Sequence, residues 1–466
     1  MTRKIERLIC IGLLVNVIFT ALAFGAVEPW SVALFELMMA ALVLLWGLKF
    51  IVDKQITLTL PKTALPLLAL CAFGFIQGLA FTRRDQIRIS LSTDVEATRA
   101  ATLGLLFLLL AFIIAANLFT NHRRIRLLAI TLTVFGLLLA VFALVQHFTW
   151  NGRFYWLRQA SAAVSSPFGP FANHNHFAGY MELLIPLPMA LVLTRATKPD
   201  ARLFLIFAAI MMAVAAVASL SRGGMISLIA EMVFIGLMSR RREATRRAAA
   251  SLRAAAFILL IVAAIAAGIY WTGPERVVER LARTGVVSDD PRAESFHASR
   301  GWIWRDTLAM ISANPILGVG LGAYETAYPL TSAEDVMNAG GVSYSVDRAH
   351  NDYLQAVADC GLVGGGLVVW FITLLFRRVR RAAQSNDALT RAMAIGGGGG
   401  LFALLVHSLF DFNLQLPANA LLFLLLAAVV SRLGEVAYKY ETITPRRVQA
   451  SAAADDYVLV TGVLSR

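Results

Sequence analysis

The chain has 466 residues, of which 58% are hydrophobic and only 15% are charged. Soluble domains carry about a quarter of their residues as charged side chains, so this composition excludes an ordinary soluble protein and indicates that most of the chain lies in lipid. The formal net charge of +13 is distributed in short clusters beside apolar segments. Such clusters are typical of membrane topology signals and not of a nucleic-acid-binding face.

Apolar segments of spanning length, about 17–25 residues, recur from the N-terminus to about Val430. We predict an all-α fold, a polytopic bundle of about twelve transmembrane helices. The basic start from Thr2 to Lys4 resembles a secretory signal, but a second apolar segment follows almost at once, so we expect an uncleaved anchor. The predicted spans are centred near Val17, Ala41, Ala72, Leu109, Leu138, Ile185, Met211, Ile229, Ile261, Val369, Leu401 and Leu424.

The cationic clusters predict the orientation of these spans. An even number of spans places both termini on one side, and basic groups such as Arg123–Arg126 and Arg377–Arg381 lie in the segments of that same side. Positive residues favour the cytoplasm, so both termini are expected inside a bacterial inner membrane. We divide the chain into spans 1 to 5 (1–150), a core (151–440) and a cytoplasmic tail (441–466). The core includes an extracytoplasmic loop, 272–350, between spans 9 and 10.

Part of this loop has helical spacing. From Ser299 to Asn314, the side chains of Trp304, Leu308 and Ile311 fall on one stripe. Pro315 disfavours helical geometry at the residue before it and therefore predicts the end of the helix. The pattern predicts an amphipathic helix lying over the membrane mouth of the bundle.

Arginines at the outer boundary are candidate anion ligands. Arg222 follows a serine and precedes two glycines in a break between two apolar helices, where a cation must face a wet cavity, face an anion, or snorkel to the interface. Arg300 and Arg305 flank Trp302 and Trp304. These four residues fit either an interfacial anchor or guanidinium groups presented to a diphosphate.

His350 is a candidate general base. Asn351 and Asp352 follow it directly and are plausible helix caps, so His350 would lie beside a helix N-terminus whose field disfavours the imidazolium form. A neutral histidine there can accept a proton. A structural histidine at the membrane interface is the alternative.

Two weaker features lie elsewhere. The segment 168–176, with His174 and His176, is too polar for a lipid-facing helix and fits a re-entrant segment or an ordinary loop. His407 and Asp411 lie one helical turn apart. We expect that pair to orient the site and not to perform the reaction.

Three motifs together resemble the O-antigen ligase superfamily, which includes lipopolysaccharide O-antigen ligases, polysaccharide polymerases and some protein oligosaccharyltransferases. They are the Ser-Arg-Gly-Gly break at Arg222, the stretch from Arg300 to Gly320, and the sequence from His350 to Gln355 before a glycine-rich span. Their order and spacing agree with that family from Phe168 to Asn419.

The resemblance implies transfer of a glycan from a polyprenyl diphosphate carrier to an acceptor hydroxyl, on lipid A core or a similar acceptor, at the periplasmic face. It implies no nucleotide sugar and no metal, and we expect no other cofactor. Our mechanistic hypothesis is a single displacement, which inverts the anomeric centre. Arg222 and Arg300 match the family's essential arginines, and His350 matches its essential histidine. We expect substrate-binding roles for Arg305, Trp304, Asn351, Asp352, His174 and His176.

The expected partners are the lipid-linked glycan donor, a lipid or glycan acceptor and membrane lipids, with no nucleic acid. Two other functions stay open. A repeat-unit polymerase of the same superfamily uses the same donor chemistry. A secondary transporter fits the number of spans, but the chain lacks the two related halves that such folds usually contain.

Overall fold

The computed structural model describes residues 2–54, 58–82, 88–159, 166–239, 298–331 and 346–454. Nine helices within these ranges are long and apolar enough to cross a membrane. The chain is therefore a multi-pass membrane protein, and the predicted all-α bundle is confirmed. Two very short antiparallel strand pairs are the only sheet in the described ranges.

The elements follow one another in this order. The first half contains α1 (Thr2–Leu22), α2 (Pro29–Asp53), α3 (Ala64–Gln77), β1 (Ala80–Thr82), β2 (Arg88–Ser90), α4 (Val95–Leu118), α5 (His122–Phe148), β3 (Arg153–Phe154) and β4 (Arg158–Gln159). The second half contains α6 (His174–Leu184), α7 (Pro186–Leu193), α8 (Pro199–Ala218), α9 (Arg222–Met238), α10 (Ala298–Ala313), α11 (Tyr324–Ala327), α12 (Asp352–Ala383), α13 (Ala388–His407) and α14 (Pro417–Ala454).

Most of the predicted span centres fall within these spanning helices. The centres near Ala72 and Ile229 fall in the shorter helices α3 and α9, which have 14 and 17 residues. The span predicted near Ile261 lies outside the described residues. The span around Ile185 is divided into α6 and α7, because Pro186 has no amide hydrogen to continue the helical hydrogen bonds.

Helix α13 lies at the centre of the bundle, and its glycines allow close contact with its neighbours. A Cβ atom on Gly400 would lie 2.8 Å from the Cα of Leu183 in α6, and one on Gly396 would lie 2.8 Å from the carbonyl oxygen of Pro186. Small residues let transmembrane helices approach backbone to backbone. The close approach fixes α6 against α13, which ends at His407.

Helix α10 ends as its sequence predicts, with Ala313 as its last residue. Its buried side chains are Ile303, Asp306, Thr307 and Met310, whereas Leu308 of the predicted stripe is 54% exposed. The buried side faces the segment that follows α10, where the Thr307 hydroxyl lies 2.6 Å from the Tyr324 hydroxyl. The segment after α10 therefore determines which side of the helix is buried, and the helical spacing of the sequence did not predict where that segment lies.

Carbonyl groups at a break in α12 bind the segment that follows α10. At Gly361 the backbone leaves helical geometry, with φ +61° and ψ −163°. The carbonyl groups of Ala358 and Asp359 then accept hydrogen bonds of 2.9 Å from the amides of Val319 and Gly320. These carbonyl groups therefore find partners outside their own helix, and they attach the segment after α10 to α12.

The packing around α13 predicts that one glycine substitution lowers stability and that another does not. Gly400→Ala should lower stability by about 1–3 kcal/mol, because backbone atoms of α6 must move away. Gly366→Ala should not lower it, since Gly366 is exposed and a Cβ there meets nothing within 4 Å. Thermal unfolding of the purified protein in detergent checks this. Equal effects at both positions would contradict the packing described.

Candidate functional site

Asp411 is the centre of a polar cluster at one end of the bundle. It lies in the turn after α13, and its side chain is 1% exposed. Its Oδ2 atom accepts a hydrogen bond of 2.5 Å from the side-chain amide of Asn175 and lies 3.7 Å from the Nη2 atom of Arg300. Its Oδ1 atom lies 3.4 Å from the Nδ1 atom of His350 and 3.8 Å from the Nε2 atom of His176.

These neighbours keep the carboxyl group ionised. Burial alone would raise the pKa of Asp411, but His176 and His350, through their contacts and their charge, hold that pKa well below its usual range. The carboxylate therefore stays an anion over the whole physiological pH range. A buried anion of this kind orients the donors around it.

Phe412 packs against both imidazole rings of the cluster. Its ring centroid lies 4.7 Å from that of His176 and 5.0 Å from that of His350, with steep interplanar angles of 72° and 68°. Edge-to-face contacts of this kind restrict ring rotation. The ring of Phe412 therefore packs both imidazoles beside the Asp411 carboxylate.

His350 is held on both sides along the chain. It adopts a left-handed backbone conformation, with φ +50°, which is uncommon for a residue with a side chain. Before it, Ala349 accepts a 2.9 Å hydrogen bond from the Trp304 indole and donates one of 2.9 Å to the Gln355 side chain. After it, Asn351 caps α12, as predicted, by accepting hydrogen bonds from two amides of the first turn. The surrounding hydrogen bonds therefore maintain a strained conformation at the candidate base.

Asp352 connects the start of α12 to the turn that carries Asp411. Its Oδ2 atom accepts hydrogen bonds of 2.7 Å from the Ser408 hydroxyl and 3.0 Å from the Leu414 amide, and Gln415 lies 3.4 Å from its Oδ1 atom. Both oxygens of the Asp352 side chain therefore have hydrogen-bond partners within the protein. Its predicted contact with substrate stays a prediction.

Arg222 lies beside the C-terminal end of α13. It is the first residue of α9, and the next residue, Gly223, lies so close to His407 that a Cβ there would be 2.7 Å from the imidazole. His407 is in turn held by Glu182, at 2.9 Å from Nδ1, and lies 3.5 Å from the Ser221 hydroxyl. Both residues are buried in the bundle. The Ser-Arg-Gly-Gly break therefore contacts α13 at His407, four residues before Asp411.

Arg305 and His174 have other partners. Arg305 is 55% exposed, lies 3.1 Å from Asp306 and stacks over Trp302 at 4.2 Å. His174 lies 2.7 Å from the Ser166 hydroxyl. The segment 168–176 is a turn that leads into α6, with His174 and His176 in the first helical turn, so the loop interpretation describes it better than a re-entrant one.

The structure thus gathers Arg300, His350 and His176 from three distant parts of the chain. The sequence analysis missed Asp411 as their common partner, and it missed Asn175 and Phe412 altogether. An available signal was an acid within the polar stretch after α13, since ionisable residues amid apolar spans are usually functional. Within the described ranges, no group of three or more His, Cys, Asp or Glu side chains is arranged to hold a metal ion.

Comparison with known proteins agrees with the motifs. The O-antigen ligase family matches residues 207–383. This match confirms the resemblance and implies a membrane glycosyltransferase of the ligase or polymerase type. It includes Arg222, Arg300 and His350 and ends before Asp411. No curated protein matches the chain.

The low pKa of Asp411 predicts how stability depends on pH. Because its pKa is lower in the folded protein than the ordinary value of 3.8, its stabilising effect is complete above about pH 4 and is lost as the pH falls through the folded-state value. At neutral pH, Asp411→Asn should cost about 1–3 kcal/mol. The difference from wild type should shrink under acid, as measured by thermal unfolding. The exposed Asp200→Asn is the control, and a difference that stays constant with pH would contradict the assignment.

Proposed function

We propose that this membrane protein, which carries an O-antigen ligase domain, transfers a glycan from a polyprenyl diphosphate carrier to a hydroxyl of lipid A core or a similar acceptor. The reaction takes place at the periplasmic face of the bacterial inner membrane, with both termini in the cytoplasm. One observation carries the proposal. The two oxygens of Asp411 face a candidate base, His350, and a candidate diphosphate ligand, Arg300.

His350 acts as the general base. Its Nδ1 atom faces the Asp411 carboxylate, so Nε2, across the ring, accepts the proton of the acceptor hydroxyl as that oxygen attacks the anomeric carbon. A carboxylate on one imidazole nitrogen fixes the tautomer and stabilises the imidazolium that forms. Positioned proton transfer of this kind contributes about 10²–10⁴-fold to a rate.

Arg222 and Arg300 bind the diphosphate. As the new bond forms, the bond between the anomeric carbon and the diphosphate oxygen breaks, and the carrier leaves as polyprenyl diphosphate. The two guanidinium groups stabilise the charge that develops on that oxygen. The 3.7 Å separation from Asp411 leaves most donors of the Arg300 fork for phosphate oxygens. A single displacement inverts the anomeric centre, and the two guanidiniums supply the countercharge that a metal would otherwise provide.

The test uses purified protein, a polyprenyl diphosphate oligosaccharide and lipid A core. We expect transfer by the wild type with and without chelator, and a loss of about 100-fold or more in His350→Ala and Arg222→Ala. His122→Ala and Arg126→Ala are the matched controls, since both residues are exposed on α5. These controls should retain wild-type activity.

The products distinguish the possible functions. Growth of the glycan on the donor itself, without transfer to lipid A core, would identify a repeat-unit polymerase. The absence of any transfer by folded protein, or full activity in both site variants, would contradict the proposal.

A further inference from the structure

A cavity of about 550 Å³ lies among α2, α3, α4, α12 and α14. Its wall is mostly apolar and includes Phe35, Leu67, Leu108, Phe371 and Phe423. The volume falls in the range of about 300–1,000 Å³ that is typical of ligand-binding sites. The side chains assigned above to the diphosphate and to proton transfer are not part of this wall, so the cavity is a separate compartment.

One end of the cavity is polar and adjoins the candidate active site. Arg348, Asp352, Gln355 and Asp359 contribute to this end. Arg348 and Asp352 lie two residues before and two residues after His350. A molecule with its chain in the apolar part would therefore carry its head group toward the candidate base.

Two buried polar atoms at this end lack hydrogen-bond partners among the described residues. Gln355 is 2% exposed, and its amide nitrogen has no acceptor, although its oxygen accepts from Ala349. Asp359 is 6% exposed, and its Oδ1 atom has no donor, although Oδ2 accepts from Gly322 at 3.0 Å. Buried donors and acceptors are rarely left unpaired in proteins.

The two residues lie one helical turn apart on the same face of α12. One group that both donates and accepts can satisfy the two atoms together. A hydroxyl has this capacity, and so does an amide. The apolar remainder of the cavity wall suits a long hydrocarbon chain attached to that group.

The side chains of the cavity wall match one of the two lipid substrates of the reaction better than the other. Three carboxyl side chains contribute to its wall, those of Glu36, Asp352 and Asp359, against one cation, Arg348. A diphosphate is bound by several cations or N–H donors, and this wall offers it a single cation. The diphosphate-linked carrier is therefore poorly matched to this cavity, whereas an uncharged amide or hydroxyl is well matched.

We propose that this cavity binds an acyl chain of the acceptor, with an amide or hydroxyl group on that chain placed between Gln355 and Asp359. The inference rests on the proposed function and refines it, because it makes the acceptor a lipid whose acyl chain is recognised by the protein. Specificity then comes from the buried polar pair, which an acyl chain without such a group leaves unsatisfied.

Gly104 allows a direct test. It contributes to the cavity wall, and a Cβ atom there meets nothing within 4 Å, so Gly104→Phe places a bulky side chain in the cavity without a clash at its Cβ. Gly366→Phe is the matched control on an exposed and equally open position. The probe is tritiated N-tetradecanoylethanolamine, which has an amide. Methyl tetradecanoate, which has the same chain and no donor, is the comparison ligand.

Saturable binding is measured on the full-length protein in nanodiscs, with empty nanodiscs subtracted. We expect binding of the amide lipid to wild type and to Gly366→Phe, binding about tenfold weaker or more in Gly104→Phe, and competition by methyl tetradecanoate about tenfold weaker. Geranylgeranyl diphosphate should bind wild type and Gly104→Phe equally. Unchanged amide-lipid binding in Gly104→Phe would overturn the inference, as would loss of diphosphate binding in that variant or equal competition by the ester.

The binding assay contains no glycan donor, so its outcome is independent of turnover. Amide-lipid binding that Gly104→Phe removes supports the cavity assignment even if no glycan is transferred. Glycan transfer without such binding would overturn the cavity assignment and leave the proposed function standing.

Discussion

A carboxylate that is fully buried among membrane helices must be paired, and Asp411 has partners on both of its oxygens. Those partners come from α6, from α10 and from His350, which precedes the N-cap of α12. The requirement to satisfy one anion therefore sets the relative positions of segments that are far apart in sequence. Proton transfer and diphosphate binding both depend on this arrangement in our account.

The glycines of the bundle make the arrangement possible. Gly400 brings α13 against α6, and Gly223 brings the start of α9 against His407, so His176 and Arg222 reach the same end of the bundle. The break at Gly361 has a corresponding role for the segment after α10, because it frees carbonyl groups of α12 that accept hydrogen bonds from that segment. The close backbone contacts at Gly400 and Gly223 and the break in α12 at Gly361 thus position the segments that form the polar cluster.

The sequence predicted the fold class, the end of α10 and the cap at Asn351, because each depends on local pattern: apolar length, a proline, and a side chain that caps its own helix. It also selected Arg300, His350 and His176, which the structure brings to one carboxylate. It did not predict that carboxylate as their centre, since the role of Asp411 exists only after four distant segments meet. The covered side of α10 and the internal contacts of Asp352 were missed for the same reason: both are determined by neighbours that local periodicity does not identify.

The most direct test of this account is a double-mutant cycle on glycan transfer with Asp411→Asn and His350→Gln, with donor binding measured in parallel. If the carboxylate acts by orienting the histidine, each single change should lower kcat by about 10²–10⁴-fold, and the double variant should be no slower than His350→Gln alone. Fully additive losses, with donor binding and folding retained, would show that Asp411 acts independently of His350 and would contradict the central claim.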